Sequence, residues 1–155
     1  MARSRAVAPV VAACTLVAVT TLLAVGIATA ALAFQPPAEP ASASVSLSAD
    51  EGPDRIALVH RGGAVLNASR LSVTVMVGGD PLARQPPVPF FAARGFRSGP
   101  TGPFNRAAPD RWAAGERATL RLASTNEPLI DSGDEVTVRL ARDGTTVAVA
   151  TARAR

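Results

Sequence analysis

The chain changes its hydrophobic pattern twice. Residues 7–34 (VAPVVAACTLVAVTTLLAVGIATAALAF) are 28 positions without a charge, with Thr and Cys as the only polar side chains. As a helix this run covers about 42 Å, more than the ~30 Å hydrocarbon layer of a bilayer. Lipid obliges a lone span to pair its amides internally, so the pattern predicts a transmembrane helix. Pro9 falls in the first turn, where a missing N–H is tolerated. Residues 35–42 then carry Pro36, Pro37 and Pro40, which stop the helix and form a stiff spacer.

From residue 43 onward apolar and polar positions alternate in short runs at 44–48, 55–60, 70–77, 116–124, 135–142 and 145–153. Period two over such lengths predicts strands. The last two runs flank Asp143-Gly144, a loop suited to a type I′ hairpin, and place Val136, Val138 and Leu140 on the core face with Val147 and Val149. Gly62-Gly63 and Gly78-Gly79-Asp80-Pro81 read as turns. The expected fold class is an amino-terminal hydrophobic transmembrane or assembly α-helix (7–34) and a linker (35–42), followed by an all-β sandwich ectodomain of immunoglobulin-like size (43–155). Between the strands, 86–109 holds Phe90, Phe91, Phe96 and Phe104 among Gly and Pro. It is expected to be a long ordered loop whose rings plug one end of the sandwich, with a binding loop as the alternative.

Charge alters this picture little. The formal net charge is +4, but the sixteen basic residues are all Arg, scattered among acids without interleaved aromatics, so no nucleic-acid platform is expected. One Cys and one His exclude a disulfide framework and a metal cluster of the usual ligand types. His60 reads as a turn-flanking side chain, Asp131, Asp134 and Glu135 as solvated turn carboxylates lacking calcium-loop spacing, and without Lys there is no phosphate-binding loop of the Walker kind. No cofactor, metal or catalytic residue is expected, and the chain is not read as an enzyme.

Arg3 and Arg5 before the span and acids beyond it orient the amino terminus inside. The carboxy-terminal domain is thus expected outside the cell, where Asn67-Ala68-Ser69 is a glycosylation sequon at Asn67. Three processing fates compete: secretory cleavage after Ala31-Leu32-Ala33, lipoprotein processing at Cys14, and retention of the helix. For the third, Arg5-Ala6-Val7-Ala8-Pro9-Val10-Val11 and the Ala/Val/Thr/Leu run behind it resemble the amino-terminal segment of archaeal type IV pilins, above all those of haloarchaea. Trp112 with Gly115-Glu116, Val88-Pro89-Phe90-Phe91 and Gly102-Pro103-Phe104-Asn105 resemble exported domains of haloarchaeal pilin-like proteins.

The resemblance implies a leader of residues 1–6, removed by a prepilin peptidase between Ala6 and Val7 with Arg5 as the preceding charge. It implies a structural subunit that assembles through its helix with copies of itself or other pilins into an adhesive cell-surface filament. Ala8 and Ala12, Ala24 and Ala28, and Gly26 and Ala30 are small pairs four apart on one helical face, which lets helices approach closely. The alternative is a membrane-tethered or secreted β-sandwich binding module that does not polymerise.

Overall fold

In the computed structural model residues 7–33 and 42–155 are described, with side chains over 11–24 and 42–155. The chain divides into two compact units, Met1–Glu39 and Pro40–Arg155.

Among the described residues the first unit contains one helix, α1 (Val7–Ala33). Thr15, Thr20 and Thr21 turn their hydroxyls back onto the helix. Thr15 donates to the Val11 carbonyl at 2.9 Å, Thr20 to Leu16 at 3.0 Å and Thr21 to Val17 at 2.9 Å, back-bonding that satisfies a hydroxyl on an apolar helix. Among the described residues no helix is long and apolar enough to cross a membrane. The expected transmembrane element of the fold class is therefore corrected. So are the descriptions that rested on it: a membrane location with an extracellular C-terminal domain, and a membrane-spanning pilin displayed in a cell-surface filament.

The second unit is built of nine strands: β1 (Ala43–Asp50), β2 (Arg55–Gly63), β3 (Leu66–Asn67), β4 (Leu71–Val77), β5 (Asp80–Pro81), β6 (Arg111–Trp112), β7 (Arg117–Arg121), β8 (Glu135–Arg142) and β9 (Thr145–Arg153). They form not one simple sandwich but three antiparallel sheets, ordered β1-β2-β7, β3-β6 and β5-β4-β8-β9. Alternation decides what they bury. β4 turns Leu71, Val73, Val75 and Val77 inward, β7 turns Ala118 and Leu120, and β8 turns Val136, Val138 and Leu140, the period-two face a half-buried strand needs. All three sheets contribute to one core, which also holds Phe90, Phe96, Phe104 and Trp112.

The β8–β9 hairpin turns on Asp143 (φ +50°) and Gly144 (φ +82°), both left-handed as a type I′ turn requires. Its partner face differs from expectation. Leu140 pairs with Ala148 and Ala141 with Thr146, so Val147 is an extra, bulged residue. Beyond the bulge the inward positions become Ala148 and Ala150, and Val149 faces solvent at 56% exposure. Gly62 and Gly63 do not make a turn but continue β2, pairing with Ser44 and Ala43. At the far end of β1, the Arg155 amide donates to the Ala49 carbonyl at 3.2 Å and the Glu51 amide to the Arg155 carbonyl at 3.0 Å.

Candidate functional site

Three features were candidates on sequence grounds: the helix surface, the residues able to do chemistry, and the 86–109 loop. On α1, Val11, Leu16, Val17, Val19, Leu22 and Leu23 are each more than half exposed, and no charged residue relieves the surface. Ala12 and Ala24 of the expected assembly face are exposed on the same helix. Val7 begins α1, and Ala8, Gly26, Ala28 and Ala30 lie within its bounds, but their side chains are outside the described residues. Arg5 and Ala6 of the expected cleavage position lie outside them altogether, as does Phe34.

His60 is not turn-flanking. It points into the core with no exposed surface. Its Nε2–H donates to the Ala64 carbonyl at 2.9 Å, a bond that places a proton on Nε2, and Nδ1 has no partner among the described residues. The imidazole meets Trp112 edge-on at 5.8 Å, and Trp112 meets Phe104 edge-on at 5.3 Å, the offset geometry such rings favour. Trp112 Nε1–H donates to the Glu116 carbonyl at 3.0 Å, and the Glu116 carboxylate accepts the Ala113 amide at 2.6 Å. The Trp112-Gly115-Glu116 piece is thus one closed turn over the core. A ring sealed in this way has no access to a substrate.

The 86–109 loop is anchored at intervals. The Phe90 amide donates to Phe104 at 2.9 Å, the Arg97 amide to Arg121 at 2.9 Å and the Thr101 amide to Thr119 at 2.9 Å. Phe90, Phe96 and Phe104 are buried, while Phe91 is 60% exposed. Gly102 (φ +62°) is required where the loop lies on β7, because the Arg117 carbonyl occupies the place a Cβ would take. The loop root is clipped by Asn126, wholly buried, whose Oδ1 accepts the Arg84 amide at 2.9 Å and whose Nδ2 donates to the Arg84 carbonyl at 3.0 Å.

At the sequon, Asn67 Oδ1 accepts the Ser69 amide at 2.9 Å, capping a short 3-10 turn, and the Ser69 hydroxyl donates to Asp110 at 3.0 Å. Asp131 and Asp134 share a turn in which the Asp131 amide donates to the Asp134 carboxylate at 3.0 Å. Among the described residues no three of His, Cys, Asp and Glu gather in a way that would hold a metal ion. No family model matches the chain, and no curated protein matches it.

Proposed function

We propose that the protein is a structural subunit that joins copies of itself through α1 and holds out its β-rich unit to meet other surfaces. The observation that carries this reading is the surface of α1: a helix apolar on every described side is one that becomes covered. Covering the exposed part of six Val and Leu side chains, each between half and three-quarters exposed, contributes about 6–11 kcal/mol, against an association cost of about 4–15 kcal/mol. Assembly in this reading therefore requires most of the six to be covered. The small residues Ala12 and Ala24 admit close helix approach, and the likeness of residues 5–11 to pilin amino termini supports self-assembly over other partners. In this reading a prepilin peptidase frees the helix between Ala6 and Val7, and the subunit performs no catalysis and takes no cofactor.

The test is the mass of the full chain in mild detergent by light scattering, with Leu16→Arg and Leu23→Arg beside it. Multi-subunit species that fall to monomers in either variant are expected. A wild-type chain that is monomeric at every concentration would refute assembly. It would leave the second reading, a non-polymerising binding module, which the exposed Phe91 on an otherwise anchored loop favours.

A further inference from the structure

Between β2, β7 and the segment 97–101 lies a cleft of about 220 Å³ onto which three arginines converge: Arg55, Arg97 and Arg121. They reach it from separate parts of the sequence. Arg55 and Arg121 are directly opposite in the β2–β7 register, and the Arg97 backbone is bonded to the Arg121 carbonyl. Like charges placed directly across an antiparallel pair repel, so this arrangement needs negative charge. The protein supplies part of it. Asp50 accepts from Arg55 Nε at 2.9 Å and Nη2 at 2.8 Å on a single carboxylate oxygen. Arg97 and Arg121 have no carboxylate partner among the described residues. In the same cleft the hydroxyls of Thr101 and Thr119 stand 2.6 Å apart. One donates to the other, whose own proton remains to be given to a third acceptor.

We propose that this cleft is a binding site for a tetrahedral oxyanion, sulfate or phosphate, held by the Arg97 and Arg121 guanidinium groups and a threonine hydroxyl. Guanidinium forks match the spacing of oxyanion oxygens and bond them with charge assistance. The cleft is smaller than the roughly 300–1,000 Å³ of sites that enclose a whole drug-sized ligand. It accommodates a group, either a free ion or a sulfate ester on a polymer, and the inference stands whether or not α1 assembles.

The experiment is calorimetric titration of the full chain, at constant ionic strength, with sodium sulfate, with sodium phosphate and with dextran sulfate. A saturable isotherm with one ion per chain is expected for the wild type. Arg97→Gln and Arg121→Gln each weaken it about tenfold or more, the loss of one charge-assisted hydrogen bond. Asp50→Asn frees Arg55 and tightens binding about two- to fivefold, a gain that damage to the fold does not produce. Dextran sulfate binding much more tightly per site than sulfate, and losing that advantage in Arg121→Gln, identifies a polymer-borne group. Equal affinity per sulfate identifies the free ion. The proposal is overturned by the absence of saturable binding to all three probes, by arginine variants that bind like wild type, or by an Asp50→Asn chain that fails to tighten.

Discussion

Asn126 offers the sharpest measurement of what holds the long loop in place. Its side-chain amide pairs with both backbone groups of Arg84 as a neighbouring strand would. Asn126→Ala removes both bonds and leaves a part-buried N–H and C=O without partners. At about 1–3 kcal/mol for each stranded group the loss is about 2–6 kcal/mol, a large part of the about 5–15 kcal/mol that holds a domain folded. Two neighbouring bonds survive, Arg84 Nη1–H to the Thr125 carbonyl at 3.1 Å and the Ala83 amide to Glu127 at 2.6 Å. They favour the lower half of that range. Urea unfolding followed by the fluorescence of Trp112, the chain's one tryptophan and fully buried, reads the effect directly. With a slope of about 1–3 kcal/mol per molar urea, the midpoint falls by about 0.7–4 M. Asn126→Asp refines the test. At neutral pH its carboxylate faces the Arg84 carbonyl and destabilises comparably, whereas in acid the carboxylic O–H donates to that carbonyl and recovers part of the loss. A midpoint for Asn126→Ala within about 0.3 M of wild type would refute the reasoning.

The bulge in β9 separates two valines that the alternation pattern treats alike. Val149→Thr, on the solvent side, should change stability by less than about 0.5 kcal/mol, and Val138→Thr, at 1% exposure, should cost about 1–3 kcal/mol; equal losses in urea titration would contradict the register. Gly144→Val puts a β-branched residue at φ +82° and should cost about 1–2 kcal/mol in thermal unfolding, so an unchanged melting temperature would remove the type I′ turn.

What was legible in the sequence was what is local. Asp143-Gly144 announces its hairpin because the turn chemistry lies in two adjacent residues, and β4 and β8 show their buried faces as clean alternation. The phase of His60 is readable even so: it follows Ile56 and Leu58 at even spacing, and all three point inward. The adjacent glycines suggested a turn where β2 in fact continues. The paired strands β3, β5 and β6 are two residues each, too short to show a period. Alternation gives Val147 its right face, but a bulge cannot be seen in one strand without its partner, so alternation gives Val149 the wrong one. The arginine cleft was invisible for a related reason. Arg55, Arg97 and Arg121 are scattered along the chain, and only the β2–β7 register and the fold-back of the long loop bring them together. The apolar run was read by its length as a bilayer span, and the described part of α1 does not carry that reading.

The stitching of Arg155 to Ala49 and Glu51 has a mechanical corollary. The carboxy terminus is fastened near one end of β1, whereas the chain enters that strand at Ala43, six residues and about 20 Å away. Tension applied at the entry and resisted at the terminus therefore runs lengthwise along β1. The rungs joining it to β2 lie crosswise to that pull, so they share the load together instead of parting one after another.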